Sequence, residues 1–177
     1  RAPIKPAILV VDDEERIRDG CRKVLSQEGF EVATADCGEV GLRMIEQQHY
    51  DIILLDLMMP SLSGFDVLAR VKALHPDSVI IVISGYATVE HSIEAMKRGA
   101  YDYLVKPFDR EELSRIVGEA LVLNRQMKEI VGLPDSLESQ TGSEGKRVLK
   151  IIGHSKAMQA VYKTIGQIAE KDVSVLI

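Results

Sequence analysis

The chain has 177 residues, 46% hydrophobic and 28% charged, a globular balance with room for one well-cored domain and part of another. Its net charge of −5 argues against a DNA-gripping surface on this stretch, since such domains present a basic face. No apolar run approaches the roughly 20 residues a membrane helix needs, and Arg1-Ala2-Pro3 begins no secretory signal.

Along the chain, short apolar runs alternate with stretches of helical spacing. Strands are expected at Ala7–Val11, Phe30–Ala35, Asp51–Leu55, Val79–Ile83 and Tyr103–Val105. Runs such as Ile52-Ile53-Leu54-Leu55 are continuously apolar, which suits a parallel sheet covered on both faces. Helices are expected at Glu14–Glu28, Glu39–Gln48, Phe65–Leu74, Val89–Arg98 and Arg110–Val131, with Gly29, Gly99 and His75-Pro76 as stop signals. Right-handed crossovers then give an α/β fold, a (βα)5 doubly wound parallel five-stranded sheet with an extended C-terminal helix. In the flavodoxin-like version of this architecture the strand order is 2-1-3-4-5. Cys21 and Cys37 have neither CxxC nor metal-ligand spacing and read as reduced structural thiols of a cytoplasmic protein.

The texture changes after this unit. Residues 4–123 form the first domain, 124–150 a helical extension and linker, and 151–177 the front end of a second domain. Within the linker, Gly132–Arg147 has no apolar period; beyond it, Val148–Ile152 is apolar, Ser155–Ala169 has helical spacing and Val173–Ile177 reads as a strand.

In open α/β sheets, ligands bind beyond the carboxyl ends of the strands. Those ends carry Asp12-Asp13, Asp56, Ser84 and Lys106-Pro107, so three carboxylates, a hydroxyl and an ammonium converge. Clustered carboxylates repel one another unless a cation sits among them, and an all-oxygen set suits Mg²⁺. Asp56 can act as a nucleophile that forms an aspartyl phosphate, with Lys106 and Ser84 contacting phosphoryl oxygens and Gly85 leaving room for the group. Each residue also has an ordinary reading. Asp13 could cap a helix, Asp56 could cap a loop, Ser84 could bond backbone and Lys106 could be solvated. Their joint occurrence at four strand ends favours the chemical reading.

These residues resemble the receiver domain of bacterial response regulators over about Ile4 to Leu123. The resemblance rests on Ile8-Leu9-Val10-Val11-Asp12-Asp13-Glu14, on Asp56-Leu57-Met58-Met59-Pro60 with Gly64, and on Tyr101-Asp102-Tyr103-Leu104-Val105-Lys106-Pro107-Phe108. It implies that Asp13, Asp56 and the Met58 carbonyl hold Mg²⁺ directly, that Asp12 reaches it through water, and that Lys106–Pro107 is cis. It further implies a sensor histidine kinase as phosphodonor and a regulatory phosphoacceptor rather than an enzyme. Gly99-Ala100-Tyr101-Asp102-Tyr103 and Ile152-Gly153-His154-Ser155-Lys156-Ala157-Met158 resemble regulators of the NtrC class. In that class the receiver precedes an AAA+ ATPase that activates sigma-54-dependent transcription. Sigma-54 RNA polymerase and DNA would then be reached only through downstream domains. Asp172–Ile177 resembles the strand leading into a Walker A loop, but no G-x-x-x-x-G-K-[ST] occurs in this chain.

A phosphoryl group on Asp56 would draw Ser84 towards it and open space for the Tyr103 ring, a two-state element biased by local charge. Leu113, Ile116, Ala120, Leu123, Met127 and Ile130 follow three-four spacing, the period of a coiled-coil seam, and a homodimer through that stripe is expected. Val117 and Leu121 lie on an adjoining stripe that could face the sheet. Three rivals remain. A haloacid-dehalogenase-type phosphatase would need Asp-x-Asp after the first strand, a flavodoxin-like cofactor carrier would have to tolerate the acidic first loop, and a docking-only pseudo-receiver would not need the chemical residues.

Overall fold

A computed structural model describes residues 5–85 and 89–131, with only the backbone at 89 and 129–131. The elements are β1 (Ala7–Val11), α1 (Glu15–Gln27), β2 (Glu31–Ala35), α2 (Gly38–Gln47), β3 (Ile52–Asp56), α3 (Gly64–Leu74), β4 (Val79–Ser84), α4 (Val89–Lys97), β5 (Asp102–Val105) and α5 (Arg110–Val131). All strand pairs are parallel and the sheet order is β2-β1-β3-β4-β5. Two boundary differences matter for the site. Asp56 and Ser84 are the last residues of β3 and β4, so the ladder itself holds them. The predicted linker and the elements beyond it lie outside the described residues.

Continuously apolar strands are explained by two cores, one on each face. Ile8, Val10, Ile52, Leu54, Ile81 and Ile83 point to the α1 and α5 side, where they meet Cys21, Leu25 and Leu113. Leu9, Val11, Ile53, Leu55, Ile80 and Val82 point to the side of α2, α3 and α4, where they meet Ile45, Val67 and Ala95. Alternate side chains face opposite ways, so a strand buried on both faces has no polar positions to spare. α1 ends where Gly29 takes φ +93°, with the Phe30 amide donating to the Leu25 carbonyl at 3.1 Å, a Schellman closure. Both cysteines are free; Cys21 is buried, and desolvation pushes its thiol up to about 12.

The stripe expected to form a dimer seam packs, over most of its described length, within the domain itself. Leu113, Ile116, Ala120 and Leu123 are buried in the domain's own core beside Val117, and Met127 packs on the same cluster. Leu121 is partly buried against it too, as its stripe suggested. The side chain of Ile130 lies outside the described residues. Over so few turns, a 3.5-residue seam and the 3.6-residue face of an ordinary packed helix give the same spacing. The helix also stays tied to the sheet beyond Leu123. Buried Asn124 donates to the carbonyls of Asp51 (3.2 Å) and Asp77 (3.0 Å), and the Lys128 ammonium pairs with the Asp51 carboxylate.

Candidate functional site

Register brings the site together. Val11 is opposite Leu55, so the chain leaving β1 sets Asp12 beside Asp56 at the end of β3. Asp56 is opposite Ile83, and Ser84 is opposite Val105, directly before Lys106. The Lys106 amide extends that ladder by donating to the Ser84 carbonyl at 3.0 Å. Asp12, Asp56 and Ser84 are buried, whereas Asp13 is exposed.

Lys106 is the electrostatic centre. Its Nζ lies 2.8 Å from Asp12 Oδ2, 2.7 Å from Asp56 Oδ2 and 2.8 Å from Glu14 Oε1. Burial alone would lower its pKa, but hydrogen bonds to Asp12, Asp56 and Glu14 outweigh desolvation and hold it above the ordinary lysine range. Asp12 moves up, chiefly through burial and also through the neighbouring Asp56 charge. Its bonds from Lys106 and from the Glu14 amide (2.9 Å to Oδ1) oppose the rise without cancelling it.

The backbone fixes both carboxylates. Asp56 Oδ1 accepts from the Met58 amide at 2.8 Å, which sets the plane of the carboxyl group. Arg18 Nη1 donates to the carbonyls of Asp12 (2.7 Å) and Asp13 (3.0 Å), pinning the β1–α1 loop. Gly64 is required by close approach: a Cβ there would stand 2.3 Å from the Asp56 carbonyl and 2.5 Å from Leu57 Cα. A Cβ at Gly85 would meet only the Lys106 stem at 3.9 Å, an ordinary contact, so sterics do not demand glycine there. Lys106–Pro107 is cis, as the resemblance implied.

Carboxylate oxygens of Asp12, Asp13 and Asp56 all lie within 4.8 Å of one another, close enough to share one ion. An oxygen-only donor set of this charge fits a hard divalent cation such as Mg²⁺. Tyr103 is half-buried on β5 and packs against the α2–α3–α4 core.

A family model for the response regulator receiver domain matches residues 8–118. The chain belongs to the response regulator receiver family. Among curated proteins, this receiver is 36% identical over 172 residues to the regulatory protein AtoC of Escherichia coli, covering 96% of this chain and 36% of that protein. It is equally identical over 172 residues to the DNA-binding transcriptional regulator NtrC of Bradyrhizobium, covering 97% and 34%. The chain thus spans about a third of the length of these relatives. Among solved structures, the receiver domain of NtrX from Brucella abortus is 37% identical with TM-score 0.62, covering 65% of this chain and 98% of that one. A CheY-like receiver from Methanospirillum hungatei is 32% identical with TM-score 0.66, covering 71% and 99%.

Two site residues escaped the sequence reading. They are Glu14, which meets Lys106, and Arg18, which pins the β1–α1 loop. The signal for Glu14 was its place directly after Asp12-Asp13, which puts its carboxylate on the same rim.

Proposed function

We propose that this receiver accepts a phosphoryl group on Asp56 from the phosphohistidine of a sensor histidine kinase. In that transfer the P–N bond to the imidazole breaks as an Asp56 oxygen forms the new P–O bond in line, and the imidazole departs with its electron pair. The three-carboxylate convergence on Lys106 is the observation that carries this reading. The Met58 amide holds the Asp56 carboxylate for attack, Lys106 offers a compact positive charge to a phosphoryl oxygen, and the Ser84 hydroxyl can donate to another. Asp13, Asp56 and the Met58 carbonyl would hold Mg²⁺, with Asp12 reaching it through water, and the bound ion would neutralise charge on the incoming group.

Ser84 and Tyr103 form the switch in this proposal, with Ser84 drawn to the phosphate and the Tyr103 ring following. The output is a cytoplasmic, sigma-54-dependent transcriptional activator with a downstream AAA+ domain that contacts RNA polymerase and DNA. The match of 96–97% of the chain to much longer transcriptional regulators supports that output. So does the resemblance in the last 27 residues (151–177). Acetyl phosphate with Mg²⁺, followed by borohydride trapping, should modify the tryptic peptide Met44–Arg70 at Asp56 and nowhere else. Modification of another residue, or equal labelling in excess chelator, would defeat the reading.

A further inference from the structure

Lys106 Nζ donates hydrogen bonds to Asp56 Oδ2 (2.7 Å) and Glu14 Oε1 (2.8 Å), and Asp12 Oδ2 stands 2.8 Å away as an ion-pair partner. With three carboxylate oxygens packed around Nζ, a phosphoryl oxygen that approaches it competes with them for its charge and its donors. The three are not equivalent. The side chains of Asp12 and Asp56 are 0% and 5% exposed, and losing Lys106 would leave a buried charge without its partner. Glu14 is 51% exposed, so its carboxylate returns to water at little cost.

We propose that Glu14 is a positioning residue that occupies the Lys106 donor destined for the phosphoryl oxygen, and that its release accompanies transfer to Asp56. This rests on the reading of Asp56 as phosphoacceptor. The contact holds the lysine tip at the rim of the site, where an arriving phosphoryl group must compete for it. Glu14 also brings a negative charge close to where an anionic donor approaches. It thereby acts as a brake on phosphorylation and sets how strongly the phosphorylated form is held.

The test compares the full chain with Glu14→Gln, Glu14→Asp, Glu15→Gln and Asp56→Asn in acetyl phosphate and Mg²⁺, following intact mass over time. Beryllofluoride affinity and the urea midpoint are measured alongside. Glu14→Gln should phosphorylate about two- to fivefold faster and bind beryllofluoride more tightly by a similar factor, as loss of one exposed ion pair implies. Its urea midpoint should fall only slightly, by no more than one exposed ion pair accounts for. Glu14→Asp should fall between wild type and Glu14→Gln. Glu15→Gln removes a charge from the next exposed residue and should behave as wild type. If Glu14→Gln is no faster than wild type while Asp56→Asn stays unlabelled, this inference fails and the phosphoacceptor reading stands. If Glu15→Gln accelerates equally, the effect is general charge and the inference also fails. Labelling of Asp56→Asn would bring down the underlying reading and this inference together.

Discussion

Lys106 Nζ sits 2.7 Å from Asp56 Oδ2, joining the carboxyl ends of β5 and β3 across the intervening β4. The contact links residues 50 positions apart in the chain, and the Lys106 side chain is only 10% exposed. It makes Lys106 a structural counter-ion for the acidic rim as well as a donor for chemistry.

Replacing Lys106 with Met removes that counter-ion and leaves Asp12 and Asp56 facing each other without it. Breaking a buried pair on one side costs about 3–5 kcal/mol. Urea unfolding should show a large loss for Lys106→Met, and Mg²⁺ should raise the midpoint of the variant more than that of wild type, because a cation that binds only the folded acidic cluster stabilises it by mass action. A midpoint indifferent to both changes would show that the cluster needs no cation.

Gly64 tests the turn behind the phosphoacceptor candidate. Gly64→Ala drives a Cβ into the Asp56 carbonyl and Leu57 Cα, and the backbone on both sides must shift. We expect a loss of about 2 kcal/mol or more, at the upper part of the range for overpacking. Gly85→Ala, whose Cβ meets only a lysine stem, should change stability by under about 0.5 kcal/mol. Denaturant titrations of the two variants give the comparison, and equal losses would refute the close-approach argument.

For α5, the packing account and the seam account diverge. Leu123→Ala should destabilise the monomeric domain by about 2–5 kcal/mol, as removal of a core leucine does. Asn124→Ala should cost about 1–3 kcal/mol, because the Asp51 and Asp77 carbonyls lose their donor. Val122→Ala, on the exposed face, should be close to neutral. Thermal unfolding at several protein concentrations checks this. A loss that vanishes on dilution would instead mark Leu123 as an intersubunit contact.

Much of the fold was legible because β1, β3 and β4 are apolar up to their last residues, and only strands covered on both faces ask for that. Asp56, Asp12 and Lys106 were legible because strand ends in an open α/β sheet are where ligands bind, and the order of elements gives those ends directly. Glu14 was harder to see. It meets Lys106 across 92 positions, and β1 and β5 are not neighbours in the sheet, so the contact depends on the reach of a long side chain. The α5 stripe was ambiguous for a different reason. Spacing reports that one face of a helix is apolar, but says nothing about whether its own sheet or a second chain covers it. Asn124 gave no signal at all, since a buried asparagine and a solvated one read alike.

In the proposed function, Asp56 takes the phosphoryl group. Intact-mass measurement of wild type and Asp56→Asn, each incubated with acetyl phosphate and Mg²⁺, tests it most directly. Wild type should gain one phosphoryl group and Asp56→Asn none, with both proteins folded by circular dichroism. Stoichiometric phosphorylation of folded Asp56→Asn would contradict it.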